Sequence, residues 1–226
     1  MTYNIYYNKK SKGGIYMNNH IYTIGREFGS GGKDVGVALA KRLGVKCYDK
    51  ELLAEAAKES GFCAEIFENH DEKPTNSFLY SLVMDTYSFG GYSSAPFLDM
   101  PLNHKVFLAQ FDAIKKIAEK EPCVIVGRCA DYALADNENC LNIFIHADLD
   151  YRIARVSKNL DLTANKAKDA IVKADKQRAS YYNYYTSKKW GDSKSYHLTL
   201  DSSRIGIEGC VDLILTYREH MNKMKK

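Results

Sequence analysis

No run of about 18 apolar residues occurs in the sequence, and with it goes any expectation of a membrane-spanning helix. Paired cysteines are missing too. The six cysteines, at 47, 63, 123, 129, 140 and 210, include no C-x-x-C pair, so they indicate neither a zinc site nor a disulfide framework. They read as buried, reduced thiols of a cytoplasmic protein. An excess of one charge sign is missing: 32 Lys and Arg nearly balance 28 Asp and Glu, and the formal net charge of +4 gives no argument for a nucleic-acid partner. The first 19 residues lack an apolar segment and are therefore not a signal peptide. They are expected to be a disordered or extraneous extension, with order beginning near Met17. Proline is scarce, and three of its four copies fall between residues 71 and 104.

What remains is ordinary in bulk and unusual in one place. With 45% hydrophobic and 27% charged residues, the 226-residue chain suits a single globular domain, expected over residues 20–222. The unusual place is residues 21–44, IYTIGREFGSGGKDVGVALAKRLG. A β-branched and aromatic run, Ile21 to Ile24, leads into Gly25, Gly29, Gly31 and Gly32, then Lys33 and an amphipathic helix expected over 34–43. Strand, glycine-rich turn and helix together present backbone N–H groups and a positive helix end to a phosphate. Glycines allow positive φ there and leave bare backbone beside the ligand.

The motif is degenerate. A strict phosphate loop reads G-x-x-x-x-G-K-[ST]. If Gly32-Lys33 is its G-K, the first glycine falls on Glu27 and the hydroxyl position on Asp34. Counting back from the helix gives a second register, in which Gly32 takes the lysine's place and Lys33 comes one step late. Both registers stay open, with Arg26 as the alternative cation and Ser30 as the nearest hydroxyl. Ser30 and Asp34 are the candidate Mg²⁺ ligands, unless the nucleotide alone carries the metal. A dinucleotide fingerprint starting at Gly29-Ser30-Gly31 is the lesser alternative, with Asp49 placed as a ribose acid but Asp34 where its third glycine belongs.

Further along, short apolar runs at 45–48, 123–126, 141–148 and 198–200 alternate with helical segments at 50–61, 105–120 and 206–222. That alternation predicts an α/β fold, a doubly wound parallel sheet of about five strands. Its ligands gather at the strands' carboxyl ends, where Gly25, Asp49, Gly127-Arg128 and Asp148 would stand. Residues 71–104 are expected to be an acceptor-binding insert, or alternatively a homodimer contact. Residues 151–190 set Arg152, Arg155 and Arg178 beside Tyr181, Tyr182, Tyr184 and Tyr185. Three readings compete there: a lid closing over phosphates, an RNA-binding face, and a solvated helix with tyrosines packed beneath it.

The segments GREFGSGGKDVG, YDKELL, VIVGRCADY, FIHADLDYRIARV, DKQRASYYNYYT and LDSSRIGIEGCVDLI resemble the cytidylate kinase-like family of P-loop proteins. The resemblance spans nearly everything from 20 to 214. It implies a P-loop kinase fold with a helical lid, ATP and Mg²⁺ as cofactors, and transfer of the γ-phosphate to a small acceptor such as a nucleoside monophosphate. ATP would then meet Gly25, Arg26, Gly29, Ser30, Gly31, Gly32 and Lys33. The acceptor would meet Asp49, Arg128, Asp131, Arg152, Arg155 and Tyr182, with Lys33, Arg128 and Arg178 carrying the catalysis.

Overall fold

The computed structural model of the protein describes residues 20–49 and 101–224. The expected N-terminal extension, the helix at 50–61 and nearly all of the 71–104 insert lie outside the described residues.

Five strands form one sheet in the order β2-β3-β1-β4-β5, with every neighbouring pair parallel. β1 (Ile21–Arg26), β3 (Cys123–Val126) and β4 (Cys140–His146) are the inner strands. They read as mainly apolar runs because helices cover both faces, leaving no side of the strand to water. β2 (Lys46–Tyr48) and β5 (Leu198–Asp201) form the edges and are more exposed.

On one face, Tyr22, Ile24, Val124, Val126 and Ile143 meet Val35 and Leu39 of α1 (Gly32–Leu43). Val211 and Ile214 of the C-terminal helix join them there. On the other face, Ile21, Cys123 and Ile125 meet Val106, Ala113 and Ile114 of α2 (Leu102–Lys120) and Ala130 of the short α3 (Ala130–Ala133). The predicted lid region resolves into α4 (Leu149–Leu160) and α5 (Ala164–Thr186). Its tyrosines are not free: Tyr181, Tyr182 and Tyr185 are buried with Phe107, Phe144 and Tyr196 in an aromatic cluster. The Tyr185 ring stacks on Phe107 at a centroid separation of 3.9 Å. The C-terminal half of α5 is thus bound into the core, as the third of the competing readings has it.

All three described helices with predicted bounds start earlier than expected, α2 at Leu102 in place of 105. α1 begins at Gly32, two residues earlier than its apolar face suggests, because Gly31 in the left-handed region caps it. The last helix, α6 (Ser202–Met224), starts directly after β5 and bends at Gly206, where φ is 69°.

Candidate active site

β1 and β3 are neighbours, yet the chain leaves them over opposite faces of the sheet, into α1 and α3. Divergence of this kind opens a crevice at the strands' carboxyl ends. A small cavity lies there, walled by Gly25, Arg26, Gly127, Arg128, Asp131 and Arg178, with the aromatic rings of Tyr182 and Tyr196 behind them.

The loop after β1 is built largely from its own hydrogen bonds. Glu27 N–H donates to Ile145 O at 3.0 Å, extending the β1–β4 ladder by one rung. Gly29 (φ 82°) and Gly31 (φ 79°) take left-handed conformations that L side chains rarely adopt. Between them Ser30 is fully buried. Its hydroxyl donates to Glu27 O at 2.9 Å and accepts from Gly32 N–H at 3.3 Å. Ser202, at the start of α6, donates through its hydroxyl to Ser30 O at 2.5 Å. The result is a turn braced by its own polar groups at the N-terminus of α1.

Three cations converge on Asp49, just past β2. Lys33 Nζ lies 2.9 Å from one carboxylate oxygen, and the Arg128 guanidinium is paired with the other. Burial alone would raise the Asp49 pKa, but Arg128, Lys33 and Arg26 overcome it and hold the carboxyl below its usual range. Arg128 reaches this position from a strained turn, since Gly127, Arg128 and Cys129 are all left-handed (φ 80°, 53° and 55°). Its guanidinium folds back to donate to Val126 O at 2.9 Å. Arg178, from α5, lies over the Phe28 ring at 5.6 Å and donates to Arg26 O at 3.4 Å. Asp131 is buried under Arg128's turn and accepts from the Tyr182 hydroxyl at 2.6 Å. Burial raises its pKa, against smaller opposing effects from Tyr182 and Lys188.

A family model described as the cytidylate kinase-like family matches residues 21–204. The chain belongs to that family. No curated protein matches the sequence. Among solved structures, an uncharacterised protein from Eubacterium ventriosum is 31% identical, with a TM-score of 0.67 over 88% of this chain and 98% of that one. Shikimate kinase from Bacteroides thetaiotaomicron, 16% identical, aligns at a TM-score of 0.51 over 88% of this chain and 98% of its own, and shares the fold.

In this cytidylate kinase-like chain the nominated residues fall into two sets. Arg26, Arg128, Arg178, Asp131 and Tyr182 meet around the cavity, with Lys33 and Asp49 beside it. Arg152 and Arg155 instead face protein carboxylates. Arg152 pairs with Asp175 at 2.6 Å and approaches Glu27 at 3.5 Å, while Arg155 pairs with Asp34 at 2.5 Å. Asp148 caps α4 away from the cavity and meets Arg204 at 3.3 Å. Of the two magnesium candidates, the Ser30 hydroxyl is buried within the loop and Asp34 pairs with Arg155. No cluster of three or more His, Cys, Asp or Glu able to hold a metal occurs among the described residues.

Sequence reading missed two residues that fix the loop. Asp175 accepts from Phe28 N–H at 2.7 Å with one oxygen while pairing with Arg152 through the other. Glu27 accepts from Ala147 N–H at 3.1 Å. Both partnerships cross more than 100 positions of sequence, and no local pattern signals them.

Proposed function

We propose that this chain is a phosphotransferase that moves the γ-phosphoryl group of ATP to a small phosphorylated acceptor, a CMP-like nucleoside monophosphate. The observation that carries the reading is the gathering of Arg26, Arg128 and Arg178 around one crevice, with Lys33 beside it on Asp49, next to a helix N-terminus opened by two left-handed glycines. Phosphoryl transfer asks a protein mainly for positioning and for positive charge around the migrating group. Membership of the cytidylate kinase-like family supports the same chemistry.

In this reading the loop and the N-terminus of α1 receive the ATP phosphates, with Arg26 and Lys33 as the two cations on offer there. Mg²⁺, in the same reading, is held chiefly by the nucleotide. Arg128, fixed by its strained turn and by Asp49, binds the acceptor phosphate through a bidentate fork. Asp131 and Tyr182 shape the acceptor pocket behind it. Arg178 neutralises charge on the migrating phosphoryl group. Arg152 and Arg155 are positioning residues that fasten α4 to α5 and to α1.

ADP release measured over a panel of nucleoside monophosphates and non-nucleotide acceptors tests the proposal. Turnover on CMP or a close relative is the expected outcome. Binding of Mg·ATP without turnover on any acceptor would make the chain a nucleotide-binding regulator, and turnover on a non-nucleotide alone would move its substrate class. On the true acceptor, Arg128→Ala should chiefly raise KM, since a rigid ground-state contact is lost. Arg178→Ala should lower kcat by about 10²–10³ with a smaller change in KM, as expected for a group that stabilises developing charge.

A further inference from the structure

We propose that Arg26 supplies the phosphate-binding cation of the loop in place of the usual lysine, and that Lys33 belongs to the acceptor side. The inference rests on the phosphotransferase reading and decides between the two registers that the sequence leaves open.

The helix entry fixes the register. Gly31 is the left-handed cap and Gly32 the first residue of α1. With Gly31 as the last glycine of G-x-x-x-x-G-K, the lysine position is residue 32 and the first glycine position is residue 26. This chain carries glycine where the motif has lysine, and arginine where it has glycine.

The two departures compensate each other in space. A Cβ placed on Gly32 would lie 2.5 Å from the Arg26 Cβ and 3.2 Å from its Cγ. Non-bonded carbons do not approach that closely, so a side chain at 26 and one at 32 exclude each other. The motif fills this space from the helix side. Here it is filled from the strand side, by the last residue of β1. The cation is kept and its point of attachment is exchanged.

The side chains' surroundings agree. Arg26 is 9% exposed, and its stem lies where a side chain at the first position of α1 would otherwise stand. The Lys33 side chain is 57% exposed and reaches Asp49, the partner of Arg128. A guanidinium at this place also offers a planar fork to two phosphate oxygens, where an ammonium offers a point charge.

Calorimetric titration of Mg·ATP into the full chain and four variants tests this. Wild type must bind first; failure to bind Mg·ATP overturns the phosphotransferase reading itself. Given binding, Arg26→Met should weaken affinity at least ten-fold. Lys33→Met should leave it within about two-fold while raising the acceptor KM. Gly32→Lys alone should bind poorly, because its stem meets Arg26. The double variant Arg26→Gly with Gly32→Lys rebuilds G-x-x-x-x-G-K over residues 26–32 and should return affinity to within about three-fold of wild type. A ten-fold loss in Lys33→Met, or a folded double variant no better than Arg26→Met, overturns the proposal. Thermal melts accompany each titration. If the variants at 26 and 32 do not fold, Lys33→Met decides alone, since its exposed side chain is removed without opening the core.

Discussion

At the scale of single residues, Asp175 is the group that the site depends on most without touching a ligand. One carboxylate oxygen holds the Phe28 amide and the other holds Arg152, so α5, α4 and the phosphate loop meet on one side chain. The pair is largely shielded, with side-chain exposures of 11% for Arg152 and 18% for Asp175. Asp175→Ala strands a mostly buried guanidinium and a loop amide together, which should cost about 2–4 kcal/mol in denaturant unfolding. Asp175→Asn keeps an acceptor for Phe28 and should recover part of that loss. If the alanine variant unfolds like wild type, the loop is held by other means. The glycines carry a related lesson. Sequence assigns them to the ligand, but a Cβ on Gly31 would lie 2.7 Å from Ile207 Cδ1, and one on Gly29 would lie 2.8 Å from Val156 Cγ2. They make room for α6 and α4 as well as for phosphate, so bulky substitutions there disturb the fold along with any binding.

At the scale of elements, α1 sits close on the sheet because Gly36 faces it. A Cβ at that position would lie 2.9 Å from Val126 Cγ2 and 3.3 Å from Ile24 Cδ1. Gly36→Ala gains helix propensity, about 1 kcal/mol, but pushes the helix off two inner strands. The overpacking should win, giving a net loss of about 1–2 kcal/mol in chemical denaturation; a stabilised variant would mean that α1 shifts freely. The inner strands were legible in the sequence for a physical reason. Ile21 to Ile24, Cys123 to Val126 and the run from Leu141 are buried on both faces, so they are apolar but for Thr23 and Asn142, which hydrogen-bond each other at 2.7 Å. The glycine-rich turn was legible because left-handed backbone at 29 and 31 demands it. Less was readable where long-range pairing decides. Lys33 fits one register of the loop and Gly32 the other, and the start of α1 at Gly32, which bears on that choice, carries no signal in the sequence. The tyrosines of α5 looked like a lid surface beside basic residues, although Tyr181 and Tyr185, four apart, share the helix face that packs on Phe107.

At the scale of the whole molecule, the titrating groups predict a two-stage loss of stability in acid. Burial lowers the pKa values of His104 and His197, and the His197 Nδ1 accepts from Asn142 N–H at 3.0 Å, an arrangement open only to the neutral ring. The folded values lie below the unfolded value of about 6.5, so the unfolded state takes up protons first and stability falls as pH drops below about 6.5. Asp49 acts lower down. Its depressed folded value means that stability is present above the unfolded value of about 3.9 and is lost as pH falls through the folded one. Melting temperatures from pH 8 to 3 should decline in two steps, and the upper step should coincide with a His197 NMR titration midpoint below 6.5. A midpoint at or above 6.5 would contradict the buried, neutral assignment.

The order of the sheet has a consequence for synthesis on the ribosome. β1 stands at the centre, yet its neighbours β3 and β4 begin about a hundred or more positions later, with Ile21 opposite both Cys123 and Cys140. At translation speeds of about 5–20 residues per second, an apolar strand waits roughly 5–20 seconds for either partner. The nascent chain therefore carries its phosphate loop, and the largely apolar strand before it, without these neighbours through much of its elongation. Slowed translation across residues 50–120 should lengthen that exposure and lower the soluble yield before any change in the finished fold could be detected.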